Sequence, residues 1–219
     1  TPTPTGITIL VTSAQDSGPG TLRQALLDAQ AGDTIIFNTE VFPPDNPTEI
    51  FLTSGDLPRI SQSNITIDAS NAGVILDGSK SQDNSSNFGL VINSDHNTVM
   101  GLLITQFGNA IYLEGGSYNT IGGDRSIGAG PLGQGNLLSN NFIGIDLLSM
   151  VGGNVITGNM IGTDVSGTEP NGNWRAGIWI EDIQSYNPHP NIIGPDNIIA
   201  FNGSRVDVAN GEFSGGVGM

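Results

Sequence analysis

The chain has no cysteine, which excludes a disulfide framework, a thiol nucleophile and a cysteine-ligated metal. It has one lysine, Lys80, and its arginines stand singly. The basic clusters that bind phosphate backbones or anionic membranes are therefore missing, and nucleic acid is not an expected partner. No run of about 18 apolar residues occurs, so no membrane insertion by a helix is expected. Aromatics are 6% and charged residues 12% of the chain, the latter about half the usual share. No signal-peptide pattern opens the sequence; Thr1-Pro-Thr-Pro-Thr5 instead has the composition of a linker. Residues 1–6 are thus expected to be a linker remnant and 7–219 a single domain.

Glycine is abundant instead, at 32 residues, and 21 acidic residues against 6 basic ones set the net charge at −15. Glycine and asparagine supply the positive φ of tight turns, so many short strands are implied. The acidic surface favours solubility and attracts Ca²⁺, but does not specify a fold.

An asparagine sextet recurs: Asn136-Leu-Leu-Ser-Asn-Asn141, Asn154-Val-Ile-Thr-Gly-Asn159 and Asn197-Ile-Ile-Ala-Phe-Asn202. Partial copies begin at Asn97, Asn119 and Asn191. Short aliphatic strands fenced by Asn and Gly mark a solenoid, whose repeats bury apolar surface by stacking on one another. Asn136, Asn141, Asn154, Asn159, Asn197 and Asn202 are read as a structural ladder at the corners, each amide bonding the next one along.

One helix is expected, at about 21–31. Thr21 and Gln24 have the spacing of a capping box. Leu22, Ala25, Leu26 and Ala29 form one apolar stripe, and Gly32 follows as a stop. It would cover the first rung of the stack, where an open strand edge would otherwise lie. Strands are expected at 7–11, 34–37, 49–52, 64–68, 74–76, 90–92, 98–105 (divisible in two), 110–113, 119–121, 136–138, 143–147, 154–156, 177–180, 191–193, 197–199 and 206–208.

Register decides between a sandwich of hairpins and a parallel coil. Gly89-Leu-Val-Ile92, Ala110-Ile-Tyr-Leu113, Gly144-Ile-Asp-Leu147 and Gly177-Ile-Trp-Ile180 can be stacked, with Gly216-Val-Gly-Met219 as a fifth. The second and fourth positions are hydrophobic and point inward, while the third varies and faces solvent. Leu90 to Ile111 is 21 residues and Asn97 to Asn119 is 22, close to one turn of a three-faced coil. Longer later intervals imply insertions at turns. The expected fold is all-β: a right-handed single-stranded parallel β-helix of roughly seven coils, capped by the N-terminal helix and left uncapped at the C-terminal end.

Three segments carry a family resemblance: Asp16-Ser-Gly-Pro-Gly-Thr-Leu-Arg-Gln-Ala25, Ile67-Asp-Ala-Ser-Asn-Ala-Gly-Val-Ile-Leu-Asp-Gly78 and Gly158-Asn-Met-Ile-Gly-Thr-Asp-Val-Ser-Gly-Thr168. Together they resemble bacterial right-handed parallel β-helix repeat proteins of the pectin-lyase-like superfamily. The resemblance implies a secreted or cell-surface module. Its relatives include polysaccharide lyases, glycoside hydrolases, epimerases and tailspikes, so it does not select an activity.

The third-position column places Tyr112, Asp146 and Trp179 on one face, with Glu114, Glu181 and Asp182 just beyond the strands. Aromatic planes beside carboxylates suit sugar rings; packing under the inserted loops at 115–135 and 162–175 would use the same two rings. Asp146 with Glu114 or Glu181 is the candidate carboxyl pair for glycoside hydrolysis. Arg59, Arg125, Arg175 and Arg205 look too isolated to serve as a lyase base. Asp164 is read as a turn former and is the candidate Ca²⁺ ligand; no other cofactor is expected. Asp68 and Asp77 read as turn formers as well. Ser94, Asp95 and His96 are consecutive and cannot converge as a triad. His189 follows Asn187 where an epimerase-like element would have an acid.

The expectation is a structural or adhesive scaffold that binds polysaccharide on the Tyr112, Asp146 and Trp179 face. The alternatives are a lyase or hydrolase on that face, or an end-to-end assembling component joined through the last coil.

Overall fold

Three columns of aliphatic side chains set the architecture, each formed by the same position of successive parallel strands. The computed structural model describes residues 6–81, 87–148, 151–181 and 189–203. Expectations for the 1–5 tail, Asp182, Asn187, a strand at 206–208 and the segment 216–219 fall outside them.

Sheet A joins, in order, β1 (Thr8–Val11), β2 (Thr34–Phe37), β4 (Thr66–Asp68), β7 (Thr98–Met100), β10 (Thr120–Gly122), β13 (Val155–Thr157) and β16 (Ile192–Ile193). Sheet B joins β3 (Thr48–Phe51), β5 (Val74–Asp77), β8 (Leu102–Thr105), β11 (Leu137–Leu138), β14 (Met160–Ile161) and β17 (Ile198–Ile199). Sheet C joins β6 (Phe88–Asn93), β9 (Asn109–Gly115), β12 (Ile143–Leu147) and β15 (Ala176–Ile180). Every pairing between these strands is parallel. From β4 onward the chain visits A, B and C in turn, an arrangement compatible with a parallel β-helix.

Register aligns Ile35, Ile67, Val99, Ile121 and Ile156 in sheet A. It aligns Ile50, Leu76, Ile104, Leu138 and Ile161 in sheet B, and Leu90, Ile111 and Ile145 in sheet C. All of them are buried in one continuous core. Each such side chain contributes about 1.5–3 kcal/mol when removed from water. The alternating pattern works because one face of every strand looks into the same interior.

The helix α1 (Leu22–Asp28) begins where the capping chemistry places it, with Thr21 Oγ1 accepting from the Gln24 N–H at 3.2 Å. It stops well before Gly32 because the Asp33 carboxylate takes the Gln30 N–H at 2.8 Å and the Ile7 N–H at 2.8 Å. Leu22 and Ala25 are buried in the same core as β1.

Gly101 separates β7 from β8. Its φ is +80°, and a Cβ there would lie 2.4 Å from the Ala69 carbonyl carbon and the Ser70 nitrogen, so only glycine fits this corner.

The asparagines resolve into three ladders. In the first, Oδ1 of Asn119, Asn154 and Asn191 accepts the backbone N–H of Asn97, Asn119 and Asn154 respectively. In the second, Asn159 accepts from Asn136 and Asn197 from Asn159. In the third, Asn173 accepts from Asn141 and Asn202 from Asn173. The two asparagines of a sextet therefore belong to different ladders, and the sextet is one strand with a corner at each end. Asn173 is fully buried but has no sextet, because residues 162–172 separate it from β14.

Candidate functional site

Sheet C carries the candidate site on the side away from the core. Register places Val91, Tyr112, Asp146 and Trp179 side by side on β6, β9, β12 and β15. The aromatic and acidic positions expected to share a column are thus direct cross-strand neighbours, roughly 4.8 Å apart from strand to strand.

The environment of this row is not the open one that alternation alone implies. Asp146 is only 7% exposed. Its Oδ2 accepts from Asn109 Nδ2 at 2.8 Å, while Oδ1 is buried without a hydrogen-bond partner. Burial, then the charge of Glu181, raise its carboxyl above the usual aspartate range, against the opposing pull of Asn109 and Arg175. Tyr112 and Trp179 are each half-buried. The Tyr112 ring stacks on Phe88 of the neighbouring strand, with centroids 4.9 Å apart and planes at 7°. Burial, Asp146 and Glu181 push its hydroxyl above the usual tyrosine range, with Arg59 opposing. Tyr112 therefore sits within electrostatic reach of Asp146, Glu181 and Arg59, and Asp146 within reach of Glu181.

Arginines that look scattered in the sequence meet at this face. Arg175 lies over the Trp179 ring, 4.1 Å from its centroid. Arg59 forms an ion pair with Glu114, and Asn93 Nδ2 donates to the same carboxylate at 3.3 Å. Glu114 is thus already engaged, whereas Asp146 and Glu181 interact electrostatically. The face combines two ring platforms, three carboxyls and two guanidinium groups, a set able to contact both the apolar plane and the hydroxyl rim of a sugar. Sequence reasoning missed Phe88 and Asn109. Neither fell on the stacked third position, and the only available signal was their place at the starts of β6 and β9.

The inserted loops lie elsewhere or cover little. The expected 115–135 loop contains β10, and in its remainder, 123–135, the Gly130 N–H donates to Ser70 O at 2.7 Å and Arg125 donates to Asp196 O at 2.6 Å, at corners between sheets A and B. The 162–175 loop closes on itself through an antiparallel bridge between Thr163 and Pro170. It reaches the face through Arg175, which lies over Trp179.

The remaining candidates are occupied locally. Asp164 Oδ1 accepts from Ser166 Oγ, Thr168 N and Glu169 N; the Ser166 bond and then the Glu169 bond lower its carboxyl below the usual range. Asp68 and Asp77 accept from the N–H groups of Ser70 and Ser79, as turn formers do. Ser94 Oγ donates to Ile60 O, Asp95 accepts from the Ser117 N–H, and His96 stacks on Tyr118, so these three turn to separate partners. Among the described residues, no group of three or more His, Asp or Glu side chains is placed to hold a metal. No helix there is long and apolar enough to cross a membrane. No known family model matches the chain, and no curated protein matches it.

Proposed function

We propose that the chain is a right-handed parallel β-helix module of the pectin-lyase-like type, about seven coils long with α1 as its N-terminal cap. It is secreted or displayed at the cell surface, and it acts as a structural or adhesive scaffold that binds extended polysaccharide on sheet C. The observation that carries this is the in-register row of Tyr112, Asp146 and Trp179. One strand spacing separates each ring from Asp146 between them, so a sugar chain crossing the strands would meet the two rings two spacings apart, with the buried Asp146 beneath the gap.

A panel of soluble polysaccharides, read by affinity electrophoresis, tests the proposal. Retarded migration that Trp179→Ala weakens about tenfold is the expected result. Retardation unchanged by that substitution sinks the sheet C face.

A second function, a hydrolase or lyase on the same face, draws on one observation: Asp146 is a buried carboxyl raised by burial and by neighbouring Glu181, the environment a general acid needs. New reducing or unsaturated ends that vanish in Asp146→Asn would establish catalysis and overturn the scaffold assignment.

A further inference from the structure

A groove of about 590 Å³ runs along the corner between sheets B and C. It is separate from the Tyr112, Asp146 and Trp179 row. Ser79, Asn87, Gln106, Asn140, Phe142 and Trp174 supply its functional lining. Phe142 is 38% and Trp174 46% exposed. Their rings meet edge to face with centroids 5.8 Å apart, forming an angled aromatic wall.

Amides make up another part of the lining. Gln106 and Asn140 occupy the same corner in successive rounds of the chain, with the Gln106 N–H donating to Asn140 O at 3.2 Å. Both have positive φ, 65° and 57°, a conformation asparagine tolerates better than most residues. Both are exposed, and neither side-chain amide hydrogen-bonds to a described residue. The groove crosses from Gly78 to Gly172, four successive rounds, or about 14 Å at the usual strand spacing.

Charge decides what fits. In a protein of net charge −15, no ionisable side chain among the described residues lines this groove. Arg175 borders the groove without lining it: its guanidinium lies 4.1 Å from the Trp179 centroid and 5.9 Å from that of Phe142. Among the described residues, the lining itself offers an anionic ligand no counter-charge and a cationic one no carboxylate. A peptide strand would need a free row of backbone N–H and C=O groups, but the corner backbone at Gly78, Gln106, Gly108, Asn140 and Phe142 is already bonded between rounds. Aromatic rings and unpaired amides lining one groove over several rounds suit an uncharged, hydroxyl-rich chain.

We infer that this corner groove is a second binding site and that its ligand is a neutral oligosaccharide. Sugar rings pack on Phe142 and Trp174, and their hydroxyl or acetamido groups bond Gln106 and Asn140. This site stands independently of the sheet C proposal.

Titration calorimetry of the whole chain tests it with cellohexaose, xylohexaose, mannohexaose and chitohexaose as neutral probes and hexagalacturonate as the acidic one. The expected result is binding of at least one neutral probe and none of the acidic one. Trp174→Ala and Asn140→Ala each weaken it about tenfold. Asn140 is exposed and unbonded through its side chain, so Asn140→Ala keeps the test decisive if Trp174→Ala misfolds. Four silent neutral probes, equal binding of hexagalacturonate, or neutral binding lost in Trp179→Ala but kept in Asn140→Ala would each overturn the inference. Loss in Trp179→Ala alone would move the ligand to sheet C, so the two sites fail separately.

Discussion

Asn109 Nδ2 holds Oδ2 of Asp146 at 2.8 Å across adjacent strands, while the other carboxyl oxygen, Oδ1, is buried with no partner. This half-satisfied carboxyl is poorly solvated and faces the charge of Glu181, so its ionised form costs stability.

Asp146→Asn should therefore stabilise the fold at neutral pH. The amide oxygen retains the bond from Asn109, and the charge facing Glu181 disappears. A gain of about 1 kcal/mol is expected from removing the poorly solvated charge, limited by the amide Nδ2 that takes the unpartnered Oδ1 position. The sign with pH follows from linkage. The folded value lies above the ordinary 3.8, so the folded state takes up a proton first as pH falls. Relative to the Asn variant, the wild type should gain stability on acidification towards pH 3.8. Paired urea melts across this range check it; parallel pH profiles would show that Asp146 is not strained.

Asp16 should behave in the opposite way. Burial raises its carboxyl, but hydrogen bonds from Ser54, Arg23 and Thr53 and the charge of Arg23 outweigh this and hold it at about 2, down from 3.8. Arg23 is tied in turn to the carbonyls of Gly55 and Asp56, so the carboxylate clamps the turn before α1 to the segment after β3. A depressed folded value contributes stability that is complete above pH 3.8 and lost as pH falls through about 2. Allowing for solvent screening, about 1–2 kcal/mol should disappear over this window in the wild type. Asp16→Asn should lack that component of the acid slope and be destabilised by a similar amount at pH 7. Thermal melts at pH 7, 4 and 2 separate the outcomes, and identical acid slopes would refute the clamp.

How far the sequence reveals these features depends on the range of the contacts. The Leu90, Ile111 and Ile145 column is legible because each sits in the same four-residue alternating pattern, which is local, although the intervals between them differ, 21 and then 34 residues. Alternation also places Tyr112, Asp146 and Trp179 on one side of sheet C. It does not disclose what covers that side, so the burial of Asp146 under Asn109 could not be read. Arg59 reaches Glu114 only after the chain has folded back on itself, so it looks isolated until then; Arg175 and Trp179 are four residues apart, and only the outward side they share on sheet C depends on the fold. Asn173 escapes detection because an insertion removes its sextet spacing while leaving its ladder position intact. The helix end depends on Asp33, a partner beyond the helix, and not on Gly32.

The ladders should be most sensitive at their interior rungs. Oδ1 of Asn159 accepts from the N–H and Nδ2 of Asn136, and its Nδ2 donates to Ile121 O and Thr157 O. Asn159→Ala strands these groups in a site with no solvent exposure, and a loss of about 3 kcal/mol is expected. Asn202 makes the corresponding bonds to Asn173, Ile161 and Ala200 but is only half-buried. Water can replace it, so Asn202→Ala should cost about 1 kcal/mol. Chemical denaturation of the two variants checks the ranking, and equal losses would mean that burial does not set the strength of a rung.

Two glycines separate backbone strain from steric exclusion. Gly18 has φ +103° with nothing within 4 Å of an added Cβ, whereas Gly101 has φ +80° and would press its Cβ to 2.4 Å from the backbone of Ala69 and Ser70. Gly18→Ala meets only the left-handed penalty, about 1–2 kcal/mol. Gly101→Ala meets that penalty and a clash with main chain that cannot rotate away, about 3–5 kcal/mol together. The clash forces apart β4 and β7, which are paired in sheet A, so hydrogen exchange of Ile67 and Val99 should accelerate in Gly101→Ala but not in Gly18→Ala. Equal exchange in both variants would show that the corner relaxes, and that glycine is required at position 101 for its dihedral angles alone.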